Sequence, residues 1–218
     1  MNTPSSLRPL AITQGDPAGI GPEIVAKAFR DAPGLLRGCF AVGDLATLRR
    51  AAQCLVRPGQ PELPVAQIDA PAQALDMPPR CLPVLPLPGL PGPVPWGQVS
   101  AQAGSAAAQC VVWAARAALR GEVAGLVTAP LHKESLHAAG VDYPGHTELL
   151  QAQAAAHAGV SLADMPVRMM LASDELCTVL VSIHVSLRDA LAAVTQDNLL
   201  QTLQIRSEER RVGKECRL

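Results

Sequence analysis

Apolar runs of strand length alternate with longer stretches of helical period along most of this chain, the pattern of an α/β protein. Pro9–Thr13 (PLAIT) reads as a first strand, and Pro22 stands where a helix often begins, with apolar positions at helical spacing after it. Cys39–Gly43 (CFAVG) reads as a second strand, and Asp44 as the N-cap of a helix over Leu45–Leu55. From Pro58 to Pro95 there are 12 prolines in 38 residues, which excludes long helices and central strands and leaves a connection with two edge strands, near Pro64–Ile68 and Cys81–Leu85. The alanine-rich stretch Gln98–Leu119 predicts one long helix ending at Gly121. Val123–Thr128 reads as a buried strand, followed by a short helix over Leu131–Ala139 that Gly140 closes and another from Thr147 to about Ala158. Val167–Ala172 and Thr178–Ile183 flank a polar turn, so a hairpin and hence a mixed sheet are expected. Ser186 and Asp189 form an S-x-x-D cap that starts a helix just after His184–Val185.

Composition narrows the function classes. The 218 residues are 49% hydrophobic and 17% charged, and 18 Lys+Arg against 19 Asp+Glu give a formal net charge of -1. That balance lacks the basic footprint of a nucleic-acid binder, and no Lys/Arg cluster marks a membrane surface. Small molecules or other protein chains are the expected partners. The six cysteines (39, 54, 81, 110, 177, 216) have no CxxC or zinc-finger spacing and read as reduced, mostly buried thiols of a cytoplasmic protein. The N-terminus lacks the basic and apolar regions of a signal peptide, and prolines and glutamines break the long uncharged stretch Cys81–Ala115 before it could span a bilayer. Composition changes abruptly at Arg206: RSEERRVGKECRL holds five Lys/Arg and three Asp/Glu, and it resembles the translation of a sequencing adapter. Residues 206–218 are therefore read as a non-native tail, the alternative being a solvated, charged C-terminal helix.

Three stretches carry candidate chemistry. Gln14–Ile24 (QGDPAGIGPEI) joins a strand to a helix N-terminus, where glycines let a backbone approach a ligand and free N–H groups favour an anion. Its G-x3-G-x-G spacing matches neither the dinucleotide fingerprint nor the P-loop, so a tight structural turn explains it equally well. Ala129–Leu150 follows a buried strand and holds His132, Lys133, His137, His146, Thr147 and Glu148. His146 suits acid/base or phosphate-binding work and Lys133 an anionic substrate, whereas Thr147 could serve as an N-cap and Glu148 as a first-turn acid. Ser182–Leu191 places His184 at the end of an apolar strand and before a capped helix, although one histidine holds no metal ion by itself. His157 reads as structural or exposed. A metal hydrolase has no HExxH or paired-carboxylate pattern to support it.

Taken together, ITQGDPAGIGPEI, the Pro130–Glu148 block with its HK and GHTE elements, and Ile183–Asp189 (IHVSLRD) resemble the 4-hydroxythreonine-4-phosphate dehydrogenase family of pyridoxal 5'-phosphate biosynthesis over about Pro9–Ile205. The resemblance implies an isopropylmalate-dehydrogenase-like, two-lobed α/β fold with a mixed sheet and flanking helices, of which residues 1–205 are the N-terminal part. It implies a homodimer whose site lies between the lobes and is completed by the partner subunit. It implies NAD and a divalent metal (zinc, magnesium or cobalt) as cofactors, and a small phosphorylated amino-acid substrate oxidised and decarboxylated to 3-amino-2-oxopropyl phosphate. His146 and Thr147 would contact substrate, and His184 would be the first of three histidine metal ligands. The other two belong to NPHAGE-type and YHDQG-type segments, and neither segment occurs here. The 218 residues alone are accordingly expected to be inactive. The alternatives are a related branch acting on erythronate or threonate 4-phosphate, and a non-catalytic fragment.

Overall fold

The computed structural model describes residues 7–59 and 61–215. Residues 1–6, on which part of the leader reading falls, and Cys216 lie outside them. The chain divides into two compact units, one up to Val160 and one from Ser161.

The first unit is built on a parallel sheet of five strands, β1 (Leu10–Thr13), β2 (Cys39–Gly43), β3 (Val65–Gln67), β4 (Leu82–Pro86) and β5 (Gly125–Thr128), in the order β3-β4-β2-β1-β5. Thr13 at the end of β1 pairs with Val42 on one side and Thr128 on the other. Side chains alternate between faces along each strand, which sorts the core in two. Ile12, Ala41 and Val84 pack with α1 (Gly21–Asp31) and α2 (Leu45–Cys54), while Ala11, Phe40, Val42 and Leu85 pack with α3 (Ala101–Leu119). Both faces are covered, so the strands read as continuous apolar runs.

Local chemistry sets the helix ends. The Asp44 carboxylate accepts from the Thr47 N–H at 2.6 Å and caps α2 as expected. Ser100 caps α3 by accepting from Ala103 N–H at 3.2 Å, so that helix starts later than the alanine-rich pattern suggested. Two short helices follow β5, α4 (Lys133–Ala138) and α5 (His146–Ala158), and α4 packs on α3 where Gly104 leaves no room for a side chain.

The proline-rich connection holds a 3-10 turn at Pro71–Asp76 and both expected strands, but β4 is not an edge. It lies between β3 and β2 despite Pro83 and Pro86. Successive residues of a strand turn their N–H groups to opposite neighbours. Leu82 N–H donates to Pro64 C=O at 2.8 Å and Val84 C=O accepts from Ile68 N–H at 2.8 Å, so even-numbered residues face β3 and odd-numbered ones face β2. Pro83 thus faces β2 just ahead of the Ala41–Val84 pairing that opens that ladder, and Pro86 faces β3 beyond the Gln67–Val84 pairing that ends the other. Neither ring displaces a ladder donor.

In the second unit the expected hairpin forms from β6 (Met170–Ala172) and β7 (Cys177–Val179), closed by Ser173 N–H to Leu176 C=O at 2.8 Å. Among the described residues its antiparallel pair is a sheet of its own; the five-stranded sheet is wholly parallel, so the expected mixing within one sheet is not seen. Ser186 caps α6 (Leu187–Ala193), accepting from Asp189 N–H at 3.2 Å. A second helix, α7 (Gln196–Glu215), crosses Arg206 without a break. Of this unit's described residues only Thr202 is buried, held by a 2.9 Å hydrogen bond from Arg168 Nε. No helix among the described residues is long and apolar enough to cross a membrane.

Candidate active site

The chain leaves β1 toward β2 on one side and returns through α3 to β5 on the other. Such a reversal opens a crevice at the carboxyl ends of the strands, where α/β proteins collect ligands. Two loops meet there. Asp16 N–H donates to Pro130 C=O at 2.9 Å, and Gly15, at φ +72°, brings its Cα so close to Ala129 and Pro130 that a Cβ would collide with the Pro130 carbonyl. At Gly21 a Cβ would stand 2.5 Å from Gln14 O. Gly15 thus serves the approach of one loop to another and Gly21 the tight turn of its own loop, which favours the structural reading of the G-x3-G-x-G spacing.

Buried polar side chains pin this junction, and the sequence reading assigned them no role. The Asp16 carboxylate accepts from Ala18 N–H at 2.8 Å and from the Ser135 hydroxyl at 3.4 Å. Gln14 is wholly buried, and its Oε1 accepts from Asp44 N–H at 2.8 Å, tying the end of β1 to the start of α2. Arg50 donates to Val94 O at 2.6 Å and Pro17 O at 3.2 Å, with its guanidinium 4.6 Å from the Trp96 ring centroid. A glutamine and an aspartate flanking a glycine directly after an apolar strand are the signal that could have found the first two.

His146 opens α5, whose N-cap is Gly145, so Thr147 is the second residue of the helix and not its cap. The half-buried ring makes a hydrogen bond with the Ala129 backbone, and Ala129 N–H in turn donates to Thr13 Oγ1 at 3.3 Å. Burial pushes the His146 pKa below its ordinary value, while the Ala129 bond opposes that shift by favouring the cation. The ring's Nε2 is buried without a hydrogen-bond partner. Thr147 and Glu148 are half-buried beside it, the latter in the first turn as expected for an acid at a helix N-terminus.

The other candidates lie at the surface. His132, Lys133 and His137 are exposed, and His132 Nδ1 caps α4 by accepting from Ser135 N–H at 3.4 Å. His157 is exposed as well. His184 belongs to the second unit, exposed, in a loop beyond the end of β7 and not at the strand edge, with φ +56°, in the left-handed region. Among the described residues no group of three or more His, Cys, Asp or Glu could hold a metal ion. His184 alone does not make a metal site. Cys39, Cys81 and Cys110 are buried and Cys54 and Cys177 exposed, all as free thiols. A groove of about 900 Å³ runs along α3 and α5, walled by Trp113, Arg116, Tyr143, Leu149 and Gln153 but by neither His146 nor Thr147.

Residues 36–215 match the family described as pyridoxal phosphate biosynthetic protein PdxA. The chain belongs to the PdxA family. Over 208 residues it is 38% identical to a 4-hydroxythreonine-4-phosphate dehydrogenase of Trichlorobacter lovleyi, covering 94% of this chain and 57% of that protein. It is 40% identical over 188 residues to a D-threonate 4-phosphate dehydrogenase of Salmonella typhimurium, covering 84% of this chain and 52% of the relative. The crystal structure of 4-hydroxythreonine-4-phosphate dehydrogenase from Klebsiella pneumoniae superposes with a TM-score of 0.80 at 35% identity, over 96% of this chain and 60% of that one. The chain spans little more than half the length of the curated relatives it matches. Its α/β class and flanking helices are those of the PdxA dehydrogenases.

Proposed function

We propose that this chain is the N-terminal part of an NAD-dependent, metal-requiring cytoplasmic dehydrogenase that oxidises and decarboxylates 4-phosphohydroxy-L-threonine to 3-amino-2-oxopropyl phosphate. In this reading the whole protein is a homodimer, and His146 and Thr147 contact the substrate. The observation that carries it is the setting of His146, half-buried at the start of α5 and hydrogen-bonded to the Ala129 backbone just beyond β5, in a chain of the PdxA family.

Physical chemistry gives these residues their parts. Held neutral by burial, His146 is better suited to a hydrogen bond with a substrate hydroxyl than to serve as a standing cation for phosphate. The Thr147 hydroxyl can donate to a phosphate or carboxylate oxygen at the start of α5, where the helix dipole favours negative charge. NAD, when bound, would accept the hydride. His184 is proposed as one metal ligand, but the described residues do not complete a site for the ion, and the 218 residues alone are proposed to be inactive. Residues 206–218 are proposed to be adapter-derived, which resequencing the locus across the codon for Ile205 tests directly.

The test of the reaction is a chimera in which the C-terminal part of the Trichlorobacter lovleyi relative follows Ile205, assayed for NADH formation with a divalent metal. Turnover of 4-phosphohydroxy-L-threonine that drops roughly 100-fold or more in His146→Ala, the scale of a lost acid/base group, is the expected result. Turnover of threonate or erythronate 4-phosphate alone assigns the chain to the other branch, which the Salmonella relative favours. A folded chimera that reduces NAD with neither substrate overturns the reading.

A further inference from the structure

Asp16 holds the segment after β5 at two points. Beyond the local turn that its Oδ1 closes with Ala18 N–H, its backbone N–H donates to Pro130 C=O at 2.9 Å and its Oδ2 accepts from the Ser135 hydroxyl at 3.4 Å, within α4. Asp16 and Ser135 are 6% and 1% exposed, and burying such groups costs free energy unless their bonds are made. Their bond joins parts of the chain 119 residues apart. Just before Pro130, the Ala129 backbone bonds the His146 ring, and Ala129 N–H donates to Thr13 Oγ1. Pro130 fixes its own φ and confines Ala129 to extended backbone, so few free torsions separate the Asp16 clamp from the anchor of the imidazole. A shift of the clamp is passed to the anchor.

We propose that Asp16 and Ser135 are positioning residues for His146: their hydrogen bond seats α4 against the loop after β1 and thereby fixes the Ala129–Pro130 backbone on which the imidazole is held. Neither residue need touch the substrate. The catalytic consequence rests on the proposed contact between His146 and substrate, whereas the mechanical link stands on the hydrogen bonds alone. A merely structural pair would stabilise the first unit equally well whatever stood at position 146. A positioning pair matters to turnover only while His146 is there to be positioned.

Ser135→Ala removes the hydroxyl and leaves the Ala18 turn, the Asp16–Pro130 backbone bond and the α4 cap, which uses Ser135 N–H. Nuclear magnetic resonance titration of the 218-residue chain follows the His146 ring directly. Because the Ala129 bond favours the imidazolium, loosening it should lower the His146 midpoint further below its ordinary value. Asp16→Ala should do the same, while Asp16→Asn, which keeps the Ala18 turn and can donate from Nδ2 to the Ser135 hydroxyl, should stay near the parent. In the chimera described above, Ser135→Ala should lower kcat by roughly 10–100-fold with KM little changed, and should cost nothing more in a His146→Ala background. An unchanged or raised midpoint in both Ser135→Ala and Asp16→Ala overturns the link, as does a loss of turnover that persists undiminished in the His146→Ala background. A lowered midpoint with turnover indifferent to His146 keeps the link and sinks the catalytic reading; turnover that needs His146 but ignores Ser135 does the reverse.

Discussion

Replacing Gly104 by alanine pits helix propensity against packing, and the two predict opposite signs. Alanine is favoured over glycine in a helix interior by about 0.8–1.0 kcal/mol. Here the added Cβ would stand 2.7 Å from Leu136 N and closer still to the Ser135 carbonyl. Both contacts are backbone, so no rotamer change relieves them and α4 must shift bodily. Overpacking of this kind costs about 1–3 kcal/mol, occasionally more. A displaced α4 also loosens the Ser135 hydroxyl bond to buried Asp16, worth about 1 kcal/mol. The balance is a net destabilisation of about 1–3 kcal/mol. Urea unfolding followed by the fluorescence of Trp96 and Trp113 reads it, since both tryptophans belong to the first unit. Gln109→Ala, at an exposed position of the same helix, should stay within about 0.5 kcal/mol. A Gly104→Ala protein as stable as the parent, or more so, would show that α4 is not seated on α3 as described.

Three further outcomes follow from individual groups. Asp44→Ala should cost about 0.5–2 kcal/mol through loss of the α2 cap, again read by urea midpoint, while Asp44→Asn should retain most of it. Because burial lowers the His146 pKa, the unfolded chain takes up that proton first as pH falls through 6.5; stability present above that pH is lost below it. His146→Gln should lack this increment, so the gap between parent and variant midpoints should move against the parent between pH 7 and pH 5, and a gap moving the other way refutes the assignment. Burial pushes the Cys110 thiol up to about 12, so native alkylation at pH 8 should label Cys54 and Cys177 while sparing Cys110, and rapid labelling of Cys110 would contradict its placement against the sheet.

Elements whose ends are set by local chemistry were legible in the sequence. CFAVG is β2 residue for residue, Asp44 and Ser186 cap the helices they precede, and the turn of the expected hairpin closes on Ser173. Features that depend on what lies across the fold were not. Nothing near Cys81 says that β2 will pair with β4, and the prolines argue locally for an edge. Thr147 looks like a cap because a hydroxyl before an apolar run usually is one, but the helix begins one residue earlier, at His146, which bonds the Ala129 backbone. His184 was expected at a strand end; β7 stops at Val179 and leaves it in a loop. At the site, the histidines drew attention through their chemistry, whereas Gln14 and Asp16 matter through partners about 30 and 120 residues away, which periodicity does not reveal.

The phase of the prolines in β4 bears on how this sheet finds its alignment. A parallel strand can slide by two residues and keep the same side chains on each face, so hydrophobicity alone discriminates poorly between such frames. Sliding β4 one way would put Pro83 where Leu85 now faces β2; sliding it the other way would put Pro86 where Val84 now faces β3. Each misaligned frame thus loses a ladder donor that the native frame keeps. The two rings act as keys cut for one lock position, rejecting wrong alignments during assembly without removing a ladder bond from the finished protein.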